Sequence, residues 1–262
     1  MIIDIQDIQD YMFCPVYLKL KKDNISTNNI YIQSKYDEVI KKFTYAYNDK
    51  LSNDKVSFND VKNYFGRLWM LNKNKEDYIY MQSSKNDTYN KLRVKGINKT
   101  ITFHEHNIKN PYKPIATNYK YTIDIMPNIK LTGSIDLIRE KDGLVQVVSY
   151  IPTHNYSSIN NLNNDIKTVA SVFAFRKIFN TEEDSSVVYS FDRDKEYLLN
   201  INDTTFNKLK FNIINVVNSI KNNIYYFTSY DRCSKCKYSN LCNQKKYINN
   251  IIGGQHEQFK IR

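Results

Sequence analysis

"IKLTGSIDLIREKDGLVQVVSYI", residues 129–151, decides the fold class. From residue 119 onward the apolar residues recur with a period of two, the signature of strands. "NYKYTIDIM" and "IKLTGSIDLIRE" read as two strands, Asp142-Gly143 in "KDG" is a hairpin signal, and "GLVQVVSYI" is the third strand of a meander. Alternation puts Ser134, Asp136 and Ile138 on one face. An aspartate flanked by Ile135 and Leu137 is costly to bury unless it is paired or metal-bound, so Asp136 is the first candidate site residue.

Downstream, residues 163–180 read as a buried helix, "SSVVYSF" and "EYLLNIN" as a second hairpin, and "DTTFNKLKFNIINVVNSIKNNIYYF" as a long helix opened by a cap-like Asp203. Upstream the period is helical. Ile2, Ile5, Ile8 and Met12 share a spacing that predicts a first helix, stopped by Pro15 just after Cys14. Residues 34–50 form an amphipathic helix with Tyr36, Ile40, Phe43 and Tyr47 on one face. "SFNDVKNYFGRLWMLN" predicts another, and residues 72–90 a loop or helix end. The sum is a single α/β domain over 1–262. It has a mainly helical portion (1–118), a core of mixed sheet flanked by helices (119–226), and a cysteine segment with a polar tail (227–262).

That last segment holds "CSKCKYSNLC". Cys233 and Cys236 form C-x-x-C, with Cys242 close behind and Cys14 far upstream; these are all four cysteines of the chain. C-x-x-C places two thiolates on one tight turn, where both reach one metal or cluster. In a reducing cytosol four cysteines are ligands more often than disulfides. Zinc and an iron–sulfur cluster both take four thiolates, and spacing does not separate them.

The 262 residues are enough to bury a core without a metal. The excess of 38 Lys+Arg over 27 Asp+Glu gives a net charge of +11 and favours a polyanionic partner, nucleic acid above all. AT-rich coding, which favours Lys, Asn, Ile and Tyr, is the bland source of part of that excess. The N-terminus lacks the basic and apolar regions of a secretory signal, and no apolar run reaches the roughly 18–20 residues of a membrane span. A cytoplasmic location without membrane contact is the expectation. No G-x-x-x-x-G-K-[ST] or G-x-S-x-G is present. His104 and His106 in "FHEHN" read as surface residues, and His154 as a residue near the third strand's end.

A Cys-Pro after the first helix, the strand meander carrying "GSID", and C-x-x-C-x-Tyr-x-x-x-Cys at the far end resemble the iron–sulfur branch of the PD-(D/E)XK nucleases. These are RecB-like proteins, including AddB-type subunits and four-cysteine CRISPR-adaptation nucleases. The resemblance implies a restriction-endonuclease-like core. It also implies a 4Fe-4S cluster on Cys14, Cys233, Cys236 and Cys242 that staples the two ends, with zinc as the alternative. In catalysis it implies G-x-x-D on the second strand and D/E-x-K on the third, holding Mg²⁺ or Mn²⁺ against the scissile phosphate.

Gly133 and Asp136 match the first motif, with Asp136 in the metal-binding place. The second is degenerate: Ser149 stands for the carboxylate and Ile151 for the lysine. The family's upstream His has no counterpart near Asp37 and Glu38, and its Gln-x-x-x-Tyr reads Val169 and Phe173. Asp165 and Lys167 on the following helix, and Asp124 on the first strand, are the candidates for relocated catalytic groups. The expectation is therefore a catalytically impaired, nucleic-acid-binding or scaffolding subunit in DNA metabolism, with a helicase or other protein partner. The alternatives are an active Mg/Mn nuclease with relocated residues, and a structural or assembly subunit of a phage-encoded complex.

Overall fold

A computed structural model describes residues 1–25, 30–71, 78–79, 85–153, 159–228, 233, 236–239 and 242. The elements run β1 (Ile2–Asp4), α1 (Ile5–Phe13), α2 (Pro15–Lys22), β2 (Ile30–Tyr31), α3 (Ile32–Asn53), α4 (Phe58–Met70), β3 (Tyr78–Ile79), α5 (Lys85–Lys109), β4 (Lys113–Met126), β5 (Ile129–Lys141), β6 (Leu144–Ile151), α6 (Ile159–Leu162), α7 (Ile166–Phe179), β7 (Ser185–Ser190), β8 (Lys195–Leu199) and α8 (Asp203–Lys221). The expected meander is β4-β5-β6, and its second turn carries Asp142 and Gly143 at φ 54° and 78°, the left-handed pair of a tight hairpin.

The main sheet is mixed. β4–β5, β5–β6 and β7–β8 pair antiparallel, while β6–β7 is parallel, bridged by α7. β1 pairs parallel with the first residues of β5, from Ile2↔Lys130 to Asp4↔Thr132. One face of the sheet, with Ile135, Ile138 and Val147, packs on α1, α2, α7 and α8. The other, with Leu137, Val148, Tyr150 and Tyr189, packs on α3, α4 and α5. The α/β class and helix-flanked mixed sheet are as the sequence implied.

Five local readings are corrected. Ile2 belongs to a strand and is exposed rather than helical, because β5 offers its backbone an open ladder position there. Pro15 starts α2 instead of ending the run, since its fixed φ and missing N–H suit the first helical position. Residues 85–90 belong to α5, and the same helix carries His104, which is buried and bonded to the Tyr47 hydroxyl at 3.0 Å. Asn202, not Asp203, caps α8, its side chain accepting from the Thr205 N–H.

Gly133 is fixed by packing. A Cβ there would stand 2.4 Å from the Tyr121 hydroxyl oxygen and 3.0 Å from Ile5 Cγ2, so α1 and the β4 ring leave no room. Gly133→Ala is expected to cost about 1–3 kcal/mol in chemical denaturation, the usual cost of overpacking a tight core. An unchanged midpoint would show that Tyr121 yields freely.

Candidate active site

Asp136 sits where the sheet forks. The β5–β6 ladder ends at Leu137↔Val148, while β6 continues beside β7 to Ile151↔Ser190. The carboxylate fills the fork at 1% exposure. Its Oδ2 accepts from the Tyr150 backbone N–H at 3.1 Å, and its Oδ1 from the Tyr45 hydroxyl of α3 at 2.8 Å. Tyr150 is held in turn: Asn48 donates to its hydroxyl at 3.1 Å, and Tyr112 donates to Asn48 Oδ1 at 2.8 Å.

Two lysines close on the same carboxylate. Lys167 of α7 reaches Oδ1 at 3.2 Å, and Lys41 of α3 lies 4.0 Å from Oδ2. Lys167 is the residue the sequence suggested as relocated. Lys41 was not singled out, although Asp37, Lys41 and Tyr45 recur every four residues beside the apolar stripe of α3, a spacing that puts them on one face.

Burial pushes the Asp136 carboxyl up, but the charges of Lys41 and Lys167 outweigh it. With the Tyr150 and Tyr45 hydrogen bonds they hold it down at about 2. For Lys41 burial dominates and lowers the ammonium's pKa, against the pull of Asp136. For Lys167 burial also lowers, but Asp136 and the hydrogen bonds around it win and its pKa is raised.

The remaining candidates are placed as follows. Ser149 is buried and Ile151 half-buried on β6, so the positions of the expected carboxylate and lysine carry a hydroxyl and a hydrocarbon. Asp165 spends its carboxylate on capping α7, accepting from the Thr168 N–H at 2.9 Å and its hydroxyl at 2.7 Å. Asp124 is a solvated charge beside Lys130. Val169 and Phe173 are core, the latter against Phe206. Asp37 approaches the site from α3. Thr153, just past β6, donates to its Oδ1 at 2.6 Å, and burial raises its pKa against the lowering of Thr153, Gln33 and Lys41. His154 lies outside the described residues.

At the far end, Cys14 separates α1 from α2, and both Cys14 and Cys242 pack on the core shared by α1, α7 and α8. The stretch around Cys14 and the segment after α8 meet there directly. Tyr11 donates to the Ile224 carbonyl at 2.8 Å, Thr228 to the Phe13 carbonyl at 2.8 Å, and the Tyr17 and Tyr238 rings stand 5.2 Å apart edge-on. Burial pushes the Cys242 thiol up to about 12, and Cys14, Cys236 and Cys233 add to the rise. Cys14 and Cys242 thus share one core, and the Cys236 N–H donates to the Cys233 carbonyl at 3.1 Å. Among the described residues, no three ligand-type side chains stand close enough to grip an ion as placed.

A forked mixed sheet with G-x-x-D at the fork defines a nuclease-type core. The sequence model of the PD-(D/E)XK nuclease superfamily matches residues 39–243, and the chain belongs to that superfamily. A crystal structure described as that of SSO0001 is 12% identical, with 90% of this chain and 96% of that chain covered and a TM-score of 0.36, too loose a likeness to add to the assignment. No curated protein matches. Among the described residues no helix is long and apolar enough to cross a membrane.

Proposed function

We propose that this protein binds nucleic acid, DNA in the first place, through a nuclease fold whose cleavage site has been closed. The observation that carries the reading is the pair of lysines on Asp136. In a working site of this superfamily, several carboxylate oxygens converge on Mg²⁺ or Mn²⁺, because such ions give up water only to several hard ligands. Here one carboxylate faces two ammonium groups, and Ser149 supplies no second negative charge. The lysines neutralise Asp136 as a cation would, and they repel a divalent ion from the same spot. The retained fold and altered charge set support a binding or scaffolding role in DNA metabolism, and we propose a helicase or other protein partner with it.

A second reading is favoured by the Lys167–Asp136 contact: Lys167 replaces the lysine missing at Ile151, and the enzyme is active with relocated groups. Its raised pKa weighs against a base, since a protonated ammonium orients water but takes no proton from it.

We further assign Cys14, Cys233, Cys236 and Cys242 as holders of a 4Fe-4S cluster, with zinc the alternative. Four half-buried thiols, of which Cys14 and Cys242 pack on one core, are the supporting observation. When bound, the group would cross-link the stretch around Cys14 to the segment after α8.

The test is made on anaerobically purified protein with end-labelled single- and double-stranded DNA, with Mg²⁺ or Mn²⁺. The expected result is salt-sensitive binding without cleavage. Metal-dependent cleavage abolished in Lys167→Ala would replace this reading with the active one. Absence of binding at low salt would leave a structural or assembly role.

A further inference from the structure

A groove of about 710 Å³ runs along one side of α5. Its lining includes Lys91, Lys95 and Lys99, with Asn90 and Asn98 between them and Val94 exposed. Three lysines spaced by four stand in a row along a helix, about 6 Å apart at 1.5 Å per residue. Lysine stems and Val94 make most of the lining hydrocarbon, while its charged tips, among the described residues, are all ammonium groups, which suit phosphates.

Two of the ammonium groups are already oriented. Lys95 lies 2.8 Å from the Asp192 carboxylate and over the Tyr36 ring at 5.3 Å, and Lys99 donates to the Asp192 carbonyl at 2.8 Å. An ammonium has three donors, so one such contact leaves two for phosphate oxygens.

We infer that the lysine row of α5 is a track for the phosphodiester backbone of a nucleic-acid strand. The inference rests on the nucleic-acid reading above and names the surface that reading requires. The strand comes from single-stranded or from duplex nucleic acid, and the row's chemistry is common to both.

The test measures binding of fluorescent single-stranded and duplex DNA across a salt series. It compares the wild-type protein, Lys91→Gln alone, the triple variant Lys91→Gln/Lys95→Gln/Lys99→Gln, and a control triple variant Lys120→Gln/Lys208→Gln/Lys221→Gln. The control removes the same charge from β4 and α8. Lys91 is exposed, so its single variant tests the track without touching the Asp192 contacts.

The α5 triple variant is expected to bind at least about 10-fold more weakly. Its slope of log K against log salt should flatten by about two units on single strands, as expected when three phosphate contacts are lost. Lys91→Gln should fall by about 3-fold, and the control should stay near the wild type. The form of DNA that shows the flattened slope is the one the track takes. Equal losses in the α5 and control variants, or none in α5, would overturn the track while leaving nucleic-acid binding intact. A wild-type protein that does not bind would remove the proposed function itself, and the track with it.

Discussion

Asp136→Asn is expected to lower the stability of the protein by about 3–5 kcal/mol, the range for breaking a buried ion pair from one side. The amide keeps the shape, but its single oxygen can accept from only one of Tyr45 and Tyr150, which bind different oxygens of the carboxylate. What it removes is the one negative charge that Lys41 and Lys167 share. At roughly 2–4 °C per kcal/mol for a chain of this size, the melting temperature should fall by about 10 °C.

The pH dependence gives the loss a signature. In the wild type the Asp136 carboxyl sits at about 2 when folded, below its ordinary 3.8, so the unfolded chain binds the proton first. The stabilisation is therefore complete above about pH 4 and disappears as pH falls toward 2. That limb is worth about 2–3 kcal/mol at 1.36 kcal/mol per pKa unit. In Asp136→Asn this limb should vanish. With no counter-charge, the two ammonium groups should instead titrate at lower pH when folded than when unfolded, and the variant should gain stability as pH rises toward the lysine range. Urea unfolding at a series of pH values reads both effects.

The same measurement tests the closure of the site by its two lysines. If Asp136 were an open metal ligand awaiting its cation, removing its charge would relieve strain, and Asp136→Asn would be as stable as the wild type or more so. That result would sink the closed-site proposal.

How much of this was legible in the sequence depends on the range of the forces involved. The β4-β5-β6 meander could be read because period-two alternation and Asp142-Gly143 are local signals. Helix α4 was equally plain, with Ser57 and Asp60 forming a reciprocal capping box. β1 could not be seen: three residues have no period, and Ile2, Ile5 and Ile8 fit a helix equally well. Its strand exists only because β5 has a free ladder opposite.

α5 was not read from the sequence as an element, because its apolar residues are few and Gly96 lowers its helix propensity. In the fold that glycine is where the Phe65 ring of α4 presses against the helix, leaving a Cβ no space. Asp136 was recognised from its burial cost and its motif. Its partners were half-legible. Lys167 follows the third strand at a distance that a helix folds back over the fork. Lys41 is more than 90 residues away and looks like any polar-face lysine, and only the packing of α3 on the sheet brings it to the carboxylate.

Cys14→Ala is the second large effect expected. If the four cysteines hold a cluster, the wild-type protein purified without oxygen should be brown, absorb broadly near 400 nm and contain about four irons per chain, the count of the cluster that four thiolates hold. The variant should lose most of that iron and melt roughly 10 °C or more lower, because metal binding is linked directly to folding.

The size of the fall depends on how much of the junction survives without the metal. Tyr11 to Ile224, Thr228 to Phe13 and the Tyr17–Tyr238 ring pair already tie the ends. Net gains of about 1 kcal/mol per hydrogen bond make these contacts a weak clasp by themselves. Tyr11→Phe with the cluster intact should therefore cost only about 1 kcal/mol, far less than Cys14→Ala. A colourless wild type with one zinc would replace the cluster with a zinc knot of the same topology, and Cys14→Ala would still melt low. A metal-free wild type, with Cys14→Ala as stable as its parent, would leave the hydrogen bonds and the shared core as the whole of the closure.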